Sequence, residues 1–107
     1  MIRYEIIIDT KAETAILDYV SYIAVDQRSP IVAARILQRI HDATESLAIF
    51  PRRCPIAPES SFSALDIRML IVDASLILYV VDDTKKAVTV LAFRHGRQRQ
   101  IRNLGNG

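Results

Sequence analysis

Apolar residues recur along the chain in changing rhythms, and each rhythm predicts an element. Ile2 to Ile8 alternates, with Tyr4, Ile6 and Ile8 on one face and Arg3, Glu5 and Ile7 on the other, in residue types that favour strands. From Ala12 the spacing lengthens. Ala12, Ile16, Tyr19, Val20 and Ile23 make the stripe of a helix with one face against a core. Thr10 and Glu13 have the spacing of a capping box, so the helix is predicted to start there and to end at the polar Asp26, Gln27 and Arg28. Ser29-Pro30 starts a second helix, because proline at the first helical position has its φ already set and lacks no needed donor. Its stripe is Ala33, Ile36, Leu37, Ile40, Ala43 and Leu47, and the short connection predicts an antiparallel hairpin.

Pro51 limits that helix, and the prolines and serines from Pro51 to Ala64 predict an ordered but irregular connector. Three strands follow, Leu65 to Val72, Leu76 to Val81 and Ala87 to His95, joined by short polar turns at Asp73-Ala74-Ser75 and Asp82 to Lys86. The run LILYVV in the middle strand is apolar on both faces and predicts a strand covered by the helices on one side and by something else on the other. Tyr79 is expected in the core with its hydroxyl reaching the edge. The expected fold is α+β, in the order β-α-α-β-β-β, with a helical hairpin packed on a small, mainly antiparallel sheet.

A chain of 107 residues, 50% hydrophobic, suits one core, so residues 1–107 are expected to form one domain. No apolar run approaches the roughly 20 residues needed to span a bilayer, and the N-terminus lacks a signal-peptide pattern, so a cytoplasmic protein is expected. Cys54 is the single cysteine and reads as a plain loop thiol. His41 falls on the polar side of the second helix, and two histidines without clustered carboxylates or thiols make no ligand set. Neither a metal nor a cofactor is expected. Charge changes the picture more. Arg94, Arg97, Arg99 and Arg102 stand in a stretch without acids, so residues 94–107 form a basic tail suited to phosphate, nucleic acid or an acidic protein partner.

Particular residues in this order of elements resemble the RelE/ParE toxin superfamily, which includes plasmid stabilisation proteins. They are the opening strand with Thr10-x-x-Glu13, Pro30 opening the second helix, Leu47 to Pro51 closing it, Arg68 in the second strand, Tyr79 to Asp83 in the third, and Phe93-Arg94-His95-Gly96-Arg97 ending the fourth. The resemblance covers most of the chain. It implies the toxin of a type II toxin–antitoxin pair, neutralised by a cognate antitoxin that wraps it with an extended or helical segment, here on an exposed apolar groove. The apolar helix faces also allow a homodimer.

The superfamily contains two activities. A RelE-like ribonuclease cleaves ribosome-bound mRNA by attack of a 2′-hydroxyl on the neighbouring phosphate, which needs a base, an acid and fixed positive charge. Arg68 on a rigid strand is the candidate charge stabiliser and His95 the candidate acid or base. Structural alternatives stand beside both: Arg68 pairing with Asp66, Asp82 or Asp83, and His95 terminating its strand with Gly96. The connector offers Arg52 and Arg53 but no lysine, no aromatic residue follows Phe93, and Glu45 and Glu59 read as solvated. The basic ending is closer to the ParE branch, whose members inhibit DNA gyrase by binding. In that reading Arg94, Arg97, Arg99 and Arg102 contact the target, and no bond is made or broken by the toxin. A degenerate, non-toxic binding module is the third reading.

Overall fold

The computed structural model describes residues 2–58 and 65–95. Strand β1 spans Glu5–Ile8, helix α1 Thr10–Ser21 and helix α2 Pro30–Glu45; strands β2, β3 and β4 span Ile67–Val72, Ser75–Asp82 and Ala87–His95. The sheet order is β1-β4-β3-β2, so the first and last strands lie side by side. That pair is parallel and the other two pairings are antiparallel. The helical hairpin covers one face, and the expected α+β order is what the chain adopts.

Several boundaries differ for local physical reasons. Tyr4 donates its N–H to the Ala48 carbonyl at 2.8 Å, and pairing with β4 begins only at Glu5, whose N–H reaches Lys86 O at 2.9 Å. The strand is therefore shorter than the alternation beginning at Ile2. The cap of α1 is Asp9 and not Thr10: its carboxylate accepts from Lys11 N at 3.4 Å and its carbonyl from Glu13 N at 2.9 Å, leaving Thr10 as the first helical residue. Aspartate is among the residues most favoured at that position. After Ser21 the helix widens into a π-turn over Tyr22–Asp26, capped by Gln27, and the chain then turns away at Arg28 with φ 53°. Helix α2 starts at Pro30 as expected and tightens into a 3₁₀ turn at Ser46–Ala48. A second 3₁₀ turn, Pro51–Arg53, and an isolated bridge between Ile56 and Arg68 order the start of the connector. Ala57 N donates to Ile67 O at 2.7 Å and Met69 N to Pro55 O at 3.0 Å, so this segment covers the outer edge of β2.

Both faces of β3 are buried. On the helix side Ile77, Tyr79 and Val81 pack with Ala12, Ile16, Ile40 and Leu47; on the other, Leu76 and Leu78 pack with Ala57 and Ile67. The connector is thus part of what covers the second face. Cys54 is buried in the first of these clusters, although it lies in the connector.

A β-bulge sets the geometry of the last strand. Tyr79 pairs with Val90 but Leu78 pairs with Ala92, so Leu91 is an extra residue. The bulge reverses the alternation. Val88 and Val90 face the helices before it and Phe93 after it, which turns His95 toward the helices and Arg94 toward the opposite face, level with Leu76.

Candidate functional site

Three surfaces combine exposure with chemistry. The first lies along β1. The N–H groups of Glu5 and Asp9 reach Lys86 O and Val90 O, so by strand alternation the backbone groups of Ile6 and Ile8 point to the outer edge, where no described strand lies. A groove of about 290 Å³ runs between this edge and the hairpin, walled by Ile6, Ile8, Ile16, Leu17, Leu37 and Ile40 and rimmed by Glu13, His41 and Glu45. Leu17 and Leu37 are 49% and 39% exposed. The stripe that predicted α2 placed Leu37 with the core residues. It lies at the stripe's margin and opens onto the groove instead.

The second surface is centred on the turn after α2. Phe50 has φ 55° and ψ 56°, a left-handed conformation that strains a bulky residue by about 1–3 kcal/mol. The residue is 68% exposed. Ile2, Tyr4, Ile49, Phe50 and Pro51, with Arg52 and Arg53, line an apolar groove of about 690 Å³. Arg53 fastens the turn from beneath: Nη1 donates to the carbonyls of Ser46 at 3.0 Å, Ile49 at 3.1 Å and Phe50 at 3.4 Å, and Nη2 to Ser46 Oγ at 2.6 Å. Arg52 grips Asp83 at 2.8 Å, Tyr4 donates its hydroxyl to Asp83 at 2.6 Å, and Lys86 Nζ stands 5.7 Å above the Tyr4 ring. No periodic signal marks Phe50, since its spacing of three from Leu47 equally suits a buried position.

Hydrogen bonds from Arg52 and then Tyr4 hold the Asp83 carboxyl at about 2, below its ordinary 3.8. A lowered carboxyl pKa contributes stability that is full above about pH 4 and lost as pH falls through about 2. In melts run from pH 5 to pH 2, Asp83→Asn should therefore lie below the wild type at the upper end and converge with it at the lower. A constant gap would contradict this role.

The third surface carries Arg68, one of the two predicted catalytic candidates. The Arg68 side chain is half-buried and faces the connector, where Nη1 donates to Cys54 O at 2.7 Å and Arg52 O at 3.2 Å. Two of the three acids considered as its partners are engaged elsewhere: Asp83 with Arg52, and Asp82 Oδ1 with the N–H groups of Thr84 and Lys85 in the β3–β4 turn. Asp66 shares with Arg68 and Arg52 the wall of a polar cavity of about 210 Å³. His95 lies elsewhere, stacked on Tyr19 of α1 with centroids 4.5 Å apart and planes at 13°, while Phe93 meets the same tyrosine at 5.7 Å. Arg68 is level with Tyr79, and His95 with Ser75, four residues along β3 and on its other side. At about 3.3 Å per residue and 4.8 Å between strands, their backbones are on the order of 16 Å apart. The structure does not bring them to one point. Arg94 lies on the sheet face away from the helices, and Arg97, Arg99 and Arg102 are outside the described residues.

Among the described residues there is no cluster of His, Cys, Asp and Glu suited to a metal ion, and no helix is long and apolar enough to cross a membrane.

A helical hairpin on a four-stranded mixed sheet, with an open first strand beside an apolar groove, defines a RelE/ParE-type α+β fold. The comparisons agree. The profile of the family described as ParE toxin of type II toxin–antitoxin system, parDE, matches residues 6–100, and the chain belongs to that family. No curated protein sequence is a significant match. Among solved structures, a chain of the chromosomal ParDE toxin–antitoxin system from P. aeruginosa superposes with a TM-score of 0.67 at 15% identity, covering 89% of this chain and 98% of that one. A chain of the toxin–antitoxin complex RelBE2 from Mycobacterium tuberculosis superposes with a TM-score of 0.63 at 19% identity, over 89% and 93%.

Proposed function

We propose that this toxin arrests growth by binding DNA gyrase in the cytoplasm, without catalysing a reaction, and is neutralised by a cognate antitoxin seated along β1. The observation that carries the gyrase reading is the separation of Arg68 and His95. In-line cleavage at a phosphate needs its acid, base and charge stabiliser within hydrogen-bond reach of one reacting group. Arg68 instead binds main-chain carbonyls and His95 lies on Tyr19. Binding needs no such convergence. The sheet face bearing Arg94, continued by Arg97, Arg99 and Arg102 in the sequence, supplies concentrated positive charge for a target that handles DNA.

The antitoxin reading is supported by the open backbone groups of Ile6 and Ile8 beside an apolar groove, the combination that adds a strand to a sheet edge and gives its side chains pockets. Similar folds occur in the ParDE and RelBE2 toxin–antitoxin assemblies. The test is inhibition of gyrase supercoiling by purified protein, run beside cleavage of ribosome-bound mRNA. Inhibition without cleavage is expected, and replacing Arg97, Arg99 and Arg102 together with glutamine should abolish it. Cleavage without inhibition would overturn the reading and return Arg68 and His95 to the centre of the mechanism.

A further inference from the structure

Phe50 is exposed, strained and deliberately supported. Asparagine or glycine would occupy its left-handed turn with less strain, and the ring adds nothing to either core cluster. Yet Arg53 spends four hydrogen bonds fixing the turn that holds the ring out, over a groove whose walls are Ile2, Tyr4, Ile49 and Pro51. Strain retained at an exposed aromatic points to recognition by that ring.

We propose that Phe50 and its groove form a second seat for the antitoxin, taking an acidic, aliphatic stretch of the same segment that pairs with β1. The inference rests on the antitoxin reading above and adds the route and chemistry of the segment. Continuity gives the route. Ile2 and Tyr4 line this groove and Ile6 and Ile8 the other, all even positions of one stretch of chain; the Tyr4 N–H to Ala48 O bond closes the strand edge between them, so the segment leaves the edge at Ile6 and crosses Ala48 to reach Phe50. From Ile8 to Ile2 an extended chain covers about 20 Å, a length spanned by roughly six or seven residues.

Charge gives the chemistry. Three cations, Arg52, Arg53 and Lys86, and one carboxylate, Asp83, lie around the Phe50 groove, whereas the rim of the other groove carries Glu13 and Glu45. The segment that satisfies both ends has a basic side chain beside the hairpin and an acidic one beside Phe50. A second copy of this chain would bring two cationic rims together. Single-stranded RNA also uses exposed aromatics flanked by arginines. Here, however, the walls between the arginines include the aliphatic Ile2, Ile49 and Pro51, which favours a polypeptide.

The test measures the affinity of the full-length chain for the product of the adjacent reading frame, together with its melting temperature, for the wild type, Phe50→Asn and Phe50→Tyr. Phe50→Asn should melt higher than the wild type yet bind at least tenfold more weakly, and Phe50→Tyr should bind as the wild type does. Lys86→Gln should reduce the salt dependence of binding. Unchanged affinity in Phe50→Asn overturns the proposal, as does a lowered melting temperature, which would make Phe50 a support of the fold. Loss of binding to a fluorescent 12-nucleotide RNA, with antitoxin affinity intact, overturns it in favour of nucleic acid. Absence of any wild-type complex removes the antitoxin reading itself, a result distinct from an intact complex that ignores Phe50.

Discussion

Tyr79→Ala should destabilise the protein by about 3–5 kcal/mol, the range for removing a large aromatic from a packed core. Domains are commonly stable by only about 5–15 kcal/mol, so much of the population would unfold at modest urea. Tyr79 is 0% exposed in the middle of β3, within the cluster that joins both helices to the sheet. Its hydroxyl donates to Pro51 O at 2.5 Å and ties β3 to the turn that carries Phe50, Arg52 and Arg53. Tyr79→Phe keeps the ring and removes that donor, leaving a buried carbonyl short of a partner, at a cost of about 1–3 kcal/mol. Burial, more than its neighbours, pushes the phenol pKa up. That contribution to stability is full below the ordinary value near 10 and is lost as pH rises above it, so Tyr79→Phe should flatten the alkaline limb. Urea titrations of the three proteins check the order: wild type, then Tyr79→Phe, then Tyr79→Ala. Equal midpoints for Phe and Ala would show that the ring is not the keystone of this cluster.

The second large effect concerns the groove along β1. Carboxylates introduced by Leu17→Asp together with Leu37→Asp should weaken the antitoxin complex by more than about 2 kcal/mol, a factor of at least 30, because each would be desolvated against an apolar partner beside Glu13 and Glu45. Both leucines are partly exposed, so the isolated toxin should lose only about 1 kcal/mol per site, which a melt of the free protein checks. The double variant should therefore remain toxic and escape neutralisation. Calorimetric titration with the antitoxin measures the first effect, and plating with both genes induced measures the second. Wild-type affinity in the double variant would move the interface off this groove.

Much of the fold was legible because it is written locally. Pro30 opens α2, the stripe from Ala33 to Leu47 contains its buried face, and the turn at Asp82 to Lys86 pairs β3 with β4. What local pattern carries poorly is the choice between near-equal neighbours: Asp9 outcompetes Thr10 as the cap, and pairing with β4 starts at Glu5 although the alternation starts at Ile2. The sheet order needed long-range information, since nothing near Ile6 announces that Val88 lies beside it. The bulge at Leu91 had the largest consequence for the candidate site. A regular alternation through Val88 and Val90 would turn His95 away from the helices, and the bulge lays it on Tyr19. Arg68 was found by residue type and position, but its carbonyl partners come from a connector whose path has no periodic code. Phe50 was invisible for the same reason, because a left-handed turn without glycine or asparagine carries no composition signal.

The most direct test of the toxin assignment is colony formation after inducing this chain alone and together with the product of the adjacent reading frame. Loss of colonies with the chain alone and recovery on co-induction is the predicted result. Undiminished growth with the chain alone, at expression levels where the folded protein is present in the lysate, would contradict it.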